Sequence, residues 1–257
     1  MEISNICVIG NDNRMDYVAQ KLYDFGYEVA RNAEGINASS VIVLAPPVGE
    51  QITKTIVPLL QTGQRVYGGV VSNRLIHECK KLGIRCVDYL KIDNVTSQNA
   101  TLTAMGIIRK ATIEKAVIKE SNCLVVGFGY CGKAISKELS ASSARVDVMV
   151  RRQDLKHMID SLGYGYVNFS EIACHNFEKY SYIFNTVPAQ VLDEKLLSSF
   201  SPNVMIFDIA SAPGGTDFSY CKQNGIYAVH YLGIPGKEYP KEAGDIIADT
   251  IIMDLNI

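Results

Sequence analysis

Gly127, Gly129 and Gly132 close an apolar run ending in Val125-Val126 and precede Lys133 to Leu139, a stretch with the apolar spacing of an amphipathic helix. Strand, Gly-x-Gly-x-x-Gly and helix in that order suit a dinucleotide pyrophosphate. Gly127 permits the tight turn, Gly129 lets backbone approach the phosphates, and Gly132 lets helix and strand pack closely. Tyr130 and Cys131 complete the loop and are expected beside the ligand. The pyrophosphate would sit on the helix N-terminus, where unpaired N–H groups and the macrodipole favour negative charge. Three glycines alone are a weak match, but here the strand and helix that the motif requires are both present. The competing reading is a strand–helix turn without a ligand.

The next strand, Arg145 to Val150, is followed directly by Arg151 and Arg152. An NAD site usually has Asp or Glu about 20 residues past the glycines, to accept from the ribose 2′-OH. Two guanidinium groups there suit a 2′-phosphate, which a carboxylate would repel. NADP is therefore expected over NAD; the alternative is a pair of solvated surface arginines.

Other candidate groups fall at strand ends. Tyr182 to Asn185 leads into Thr186, Val187 and Pro188 at the carboxyl edge of a sheet, where doubly wound folds bind ligands. Val204 to Ser211 leaves Asp208 and Ser211 at its end. Asp208 is read either as holding the nicotinamide ribose or as a structural carboxylate. Pro213-Gly214-Gly215 is a turn signal, and Thr216 or Asp217 is suited to cap the helix that follows. The last strand, Ile226 to Val229, runs into His230. That position suits a general base titrating near neutrality or a partly buried structural histidine. Asn99 and Thr101 are expected to open a helix continuing towards Lys115, facing a cleft between two domains or capping the helix. Cys131 is read as a small residue near the cofactor, with a redox thiol as the alternative.

Strands alternate with helices along the whole chain, which predicts parallel sheets with crossover helices. The first half reads as strands at Ile6–Ile9, Glu28–Ala30, Val41–Leu44, Arg65–Tyr67 and Arg85–Val87, with helices near Met15–Phe25, Ile52–Leu60 and Asn73–Leu82. Gly10 to Arg14 occupies the place of a glycine loop but lacks the second and third glycines, so one dinucleotide site is expected. With 257 residues, 47% of them hydrophobic, the chain suits two ordinary domains. Its apolar runs are too short for membrane spans, and the start, with Glu2 before the brief run Ile6 to Ile9, lacks the form of a signal peptide. A net charge of -2 without a basic tract argues against nucleic acid. Seven cysteines with no CxxC and no metal-ligand spacing imply a reducing, cytoplasmic setting and no metal site.

The run Asp208-Ile209-Ala210-Ser211-Ala212-Pro213-Gly214-Gly215-Thr216-Asp217-Phe218 resembles the signature of dipicolinate synthase A subunits. Asn185-Thr186-Val187-Pro188, Gly233-Ile234-Pro235-Gly236, Pro240-Lys241 and Ala243-Gly244 are similar to that family as well. The likeness is close from about Asn122 onward. Earlier it is carried by Gly10, Asp12 and Arg14, and by Asn99, Thr103, Ala104 and Gly106. Met105 departs from the family's Glu and Leu102 from its Pro; His230, Tyr231 and Glu242 also depart.

The resemblance implies an α/β chain in which a Rossmann dinucleotide-binding domain is preceded by a flavodoxin-like parallel α/β domain. The expected division is residues 1–96, a linker helix over 97–120, the Rossmann domain over 121–240, and a C-terminal helix over 241–257 returning to the first domain. The implied activity is that of an NADP-dependent oxidoreductase of bacterial sporulation. It would work with a flavoprotein-like B subunit to make pyridine-2,6-dicarboxylate, as a homo-oligomer in the mother-cell cytoplasm. Oxidising a dihydropyridine dicarboxylate needs a hydride acceptor, a base, and cations for two carboxylates. Arg14 and Lys241, in glycine- or proline-shaped loops, are the candidate cations; for Lys241 the alternative is a solvated lysine in a first helical turn. His230 is the candidate base. Two rival functions are a D-2-hydroxyacid dehydrogenase-like enzyme and a non-catalytic NADPH-binding scaffold, the second motivated by Met105.

Overall fold

A computed structural model describes residues 5–114 and 117–256. Eleven strands and eleven α-helices alternate along these residues. In order they are β1 (Asn5–Ile9), α1 (Arg14–Asp24), β2 (Glu28–Ala30), α2 (Gly35–Ala38), β3 (Val41–Leu44), α3 (Glu50–Ile56), β4 (Arg65–Gly68), α4 (Asn73–Lys81), β5 (Arg85–Asp88) and α5 (Asp93–Glu114). Then come β6 (Asn122–Val126), α6 (Tyr130–Ala141), β7 (Arg145–Val150), α7 (Lys156–Ser161), β8 (Gly165–Asn168), β9 (Tyr182–Asn185), α8 (Glu194–Leu197), β10 (Met205–Asp208), α9 (Phe218–Gln223), β11 (Tyr227–His230), α10 (Ile234–Glu238) and α11 (Pro240–Leu255).

The chain divides into two compact units, Met1–Asn99 with Pro235–Ile257, and Ala100–Ile234. The first holds a five-stranded sheet of order β2-β1-β3-β4-β5, the flavodoxin-like order. All its pairings are parallel. The second holds a six-stranded sheet of order β11-β10-β9-β6-β7-β8, again all parallel. Strands covered on both faces must be apolar throughout, and Val41 to Leu44 is buried at every position.

In the first unit, Ile247, Ala248 and Ile251 of α11 join Met15, Val18 and Leu22 of α1 in one core. Gly244 makes that helix contact close. A Cβ there would lie 2.7 Å from the Arg14 carbonyl oxygen and 2.8 Å from Tyr17 Cβ. In the second unit, Ala104, Ile107 and Ala111 form one stripe of α5 and join a core with Val125, Ile135, Phe184 and Phe207.

α5 corrects one expectation. It begins at Asp93, six residues before Asn99, so Asn99 and Thr101 lie inside the helix rather than at its start. The expected continuation to Lys115 falls outside the described residues. β8 and the short helices α2, α7, α8 and α10 were not foreseen. Gly163 and Gly165 interrupt the β8 sequence pattern, and the short helices span only four to six residues each. No described helix is long and apolar enough to cross a membrane.

Candidate dinucleotide-binding site

In the second sheet the strand order reverses between β6 and β9, and ligands of doubly wound sheets bind outside the carboxyl ends at that point. Gly127 follows β6 with φ of 95°, a left-handed conformation that favours glycine. A Cβ there would lie 2.4 Å from Thr186 Oγ1, while one on Gly132 would lie 2.2 Å from the Gly127 carbonyl oxygen. These two glycines are needed for strand–helix packing. Gly129, at the N-cap of α6, differs: a Cβ there would meet no atom within 4 Å. Its backbone borders open space at the positive end of a 12-residue helix.

A cavity of about 320 Å³ is lined by Gly127, Phe128, Gly129, Val150, Arg151 and Val187, among others. The side chains present fit a dinucleotide: bare backbone for phosphates, apolar walls for a heterocycle, and Arg151 at the end of β7. Arg151 lies over the Phe169 ring, 5.7 Å from its centroid, and has no carboxylate partner among the described residues. Arg152 is held by Asp154, its Nε donating to Asp154 Oδ1 at 3.1 Å. The two arginines that look equivalent in sequence are thus electrostatically different. Phe169, directly after β8, was missed because β8 itself was missed. An aromatic residue following a strand was the signal present. Burial pushes the Cys131 thiol up, which favours its protonated form.

The loop at the ends of β9, β10 and β11 is held from within. Asp208 is fully buried. Its Oδ2 accepts from Asn185 Nδ2 at 2.9 Å, the Gly215 amide at 2.8 Å and the Thr216 hydroxyl at 2.7 Å, and its Oδ1 accepts from the Ala210 amide at 3.0 Å. That network satisfies the Asp208 carboxylate with donors from within the protein. Asn185 also bridges the Val187 backbone, donating to its carbonyl and accepting from its amide, each at 3.1 Å. Thr186 donates to the Val126 carbonyl at 2.8 Å. Both side chains shape the loop that carries Val187 and Pro188. Gly215 is confined to glycine because a Cβ would lie 2.4 Å from the Val187 carbonyl oxygen. Asp217 caps α9, accepting from the Tyr220 amide at 2.9 Å, and Ser211 is exposed with its carbonyl accepting from Gly214.

His230 is opposite Asp208 in the β10–β11 register. Its Nε2 lies 2.7 Å from the Ala210 carbonyl oxygen. A carbonyl only accepts, so Nε2 carries the hydrogen, and in the neutral ring Nδ1 is the basic nitrogen. Phe218 lies beside the imidazole at 5.6 Å between centroids.

Arg14, Asn99 and Lys241 belong to the first unit. Arg14 grips Asp12 bidentately, at 2.8 Å and 2.6 Å, and its guanidinium is pressed against Gly236. Burial raises the Asp12 carboxyl, but the hydrogen bonds and charge of Arg14 outweigh this and hold it below the ordinary value. Lys241 pairs with Asp245 one turn on at 2.6 Å and is otherwise exposed, which matches a solvated lysine in a first helical turn. The hydrogen bond to Asp245 raises its pKa.

No family model matches the chain. The dipicolinate synthase A subunit of Bacillus subtilis (strain 168) is 30% identical over 187 residues, which cover 72% of this chain and 63% of that protein. The crystal structure of the dipicolinate synthase A subunit from Bacillus halodurans superposes with a TM-score of 0.87 at 26% identity, covering 99% of this chain and 98% of that one. The apo structure of Escherichia coli D-lactate dehydrogenase has the same fold, with a TM-score of 0.68 at 14% identity over 98% of this chain and 96% of that one. The chain is therefore similar to dipicolinate synthase A subunits in both sequence and fold, and its architecture is that of Rossmann-type dehydrogenases.

Proposed function

We propose that this chain is the dinucleotide-binding component of a dipicolinate synthase-type oxidoreductase. In this reading it holds NADP on its second unit and oxidises a dihydrodipicolinate-type ring to pyridine-2,6-dicarboxylate during sporulation. A flavoprotein-like B subunit is its expected partner, in a homo-oligomeric, cytoplasmic assembly. The open space in front of Gly129 carries the proposal, since the other two glycines of the loop are explained by packing and this one is not.

Gly127, Gly129 and the α6 amides at Tyr130 and Cys131 would hold the pyrophosphate, with Gly132 keeping helix and strand close. Val187 and Pro188 would flank the nicotinamide side, and Arg151 would meet the 2′-phosphate. When bound, NADP+ supplies a hydride acceptor. The chain's own contribution to oxidation is a proton acceptor, and His230 offers Nδ1, its ring fixed by the Nε2 bond to Ala210. Arg14 and Lys241 could meet substrate carboxylates only by exchanging Asp12 and Asp245 for them.

Calorimetric titration with NADPH and NADH tests this. Tight NADPH binding that weakens at least ten-fold in Arg151→Asp, about 1.4 kcal/mol, is the expected result. Binding of neither nucleotide would overturn it. A second reading, a non-catalytic NADPH-binding scaffold, is favoured by Met105, a 41% exposed apolar residue on α5 where the resembling family carries Glu. Turnover of a dihydrodipicolinate by this chain with the B subunit would exclude the scaffold. Turnover of a 2-hydroxy acid by the chain alone would favour a hydroxyacid dehydrogenase.

A further inference from the structure

Beyond the glycine-loop cavity the second unit has another, of about 430 Å³, lined by Arg151, Phe169, Ser170, Ile172, Gln190, Val191, Asp193, Lys195 and Leu196. The cavities share two lining residues, Arg151 and Phe169. Those two stack, with the guanidinium carbon 5.7 Å from the ring centroid, so one cation–π pair is a wall common to both spaces. Arg151 and Lys195 have no carboxylate partner among the described residues. Asp193, the acidic residue in this lining, already uses Oδ1 to accept from the Leu196 amide at 2.9 Å, capping α8. Two cations against one partly committed carboxylate leave the cavity a net positive space beside the proposed dinucleotide cavity.

We infer that this second cavity receives the 2′-phosphate of the dinucleotide and that Lys195 is a second specificity-determining cation there. Phe169 acts as a positioning residue that holds the Arg151 guanidinium between ribose and phosphate. The assignment rests on the dinucleotide-binding function proposed above. An ammonium on a flexible stem contributes to phosphate binding as a point charge, while the stacked guanidinium provides geometry.

The test is titration of the full chain with NADPH, NADH, adenosine 2′,5′-bisphosphate and AMP, in the wild type, Lys195→Ala, Phe169→Leu and Arg152→Ala. Lys195 is exposed, so its truncation leaves folding intact. The expected result for Lys195→Ala is about a 5-fold loss, the scale of an exposed ion pair, for NADPH and the bisphosphate, with NADH and AMP unchanged. Phe169→Leu, which alters a wall of both cavities, should weaken NADPH and the bisphosphate more than NADH and AMP, and Arg152→Ala should change neither pair, because Asp154 already holds that cation. Unchanged NADPH binding in Lys195→Ala, or equal losses for NADPH and NADH, would overturn the assignment while leaving the dinucleotide site standing. A wild-type chain that binds none of the four ligands would remove the dinucleotide site itself.

Discussion

The three glycines of one loop have different reasons to be glycine, and substitution separates them. In Gly132→Ala the new methyl meets the Gly127 carbonyl oxygen at 2.2 Å, so backbone must move. A loss of about 1–3 kcal/mol is expected, as for other overpacked sites, read as a lowered denaturant midpoint. Gly129 has φ of -78° and open space ahead of it, so Gly129→Ala should leave that midpoint unchanged and weaken NADPH binding instead. Equal effects on folding from both variants would show Gly129 to be a packing residue. Asp208 tests the opposite case, a strand-end carboxylate already held by donors from the protein itself. Asp208→Asn sets an NH2 group against donors from Asn185, Gly215, Thr216 or Ala210, and with this site fully buried the expected cost is about 1–3 kcal/mol. Chemical denaturation measures it; full stability with lost nucleotide binding would instead place Asp208 at the ligand.

Among the elements, the connection between β8 and β9 shows how a segment outside the strands and α-helices is fixed. Tyr180 donates its hydroxyl to Asp147 Oδ2 at 2.6 Å, so it accepts from His175 Nε2–H at 2.7 Å, and Lys179 also meets Asp147 at 2.6 Å. Burial, with the nearby Lys179 charge, lowers the His175 pKa below the ordinary 6.5 against the opposing pull of Asp147. The unfolded chain therefore binds this proton more readily than the folded one. Its contribution to stability is fully present above about pH 6.5 and is lost as pH falls through the lowered folded value. His175→Gln should flatten the stability profile below pH 6.5 relative to the wild type, and an unchanged slope would show that His175 does not titrate with folding. Regular elements follow their pattern more simply. β3 and β7 match their sequence-read limits because β3 is an unbroken apolar run and β7 alternates Val146, Val148 and Val150 with its other positions. β8 fails that test because Gly165 lies inside it, where a side chain would meet Asp147 Oδ1 at 2.0 Å.

At the scale of the molecule, the last helix returns to the first unit. Exposing Ile247 and Ile251, both fully buried against α1, would cost about 1.5–3 kcal/mol each, a large share of the 5–15 kcal/mol typical of a domain. A chain ending at Tyr239 should lose cooperative unfolding of the first unit yet keep NADPH binding by the second. Circular dichroism and calorimetry report the two separately. A truncated chain with intact cooperative unfolding would show α11 to be dispensable.

Local patterns in the sequence carried much of this. Alternation of strand and helix signals is a property of consecutive residues, as are Gly127, Gly129 and Gly132 and the arginines after Val150. These identified the parallel α/β class and the place of the glycine loop. The resemblance carried by the run from Asp208 to Phe218 matched the similarity found in sequence and fold. Ion pairing, however, depends on which side chains meet across the fold. Only the tertiary structure distinguished Arg151, stacked and without a carboxylate partner among the described residues, from Arg152, held by Asp154. Likewise it turned Asp208 inward onto four protein donors and gave Arg14 and Lys241 their carboxylate partners. Residue type states what charge a side chain carries; folding decides whether that charge is already satisfied, because satisfaction is a matter of distances that no spacing along the chain encodes.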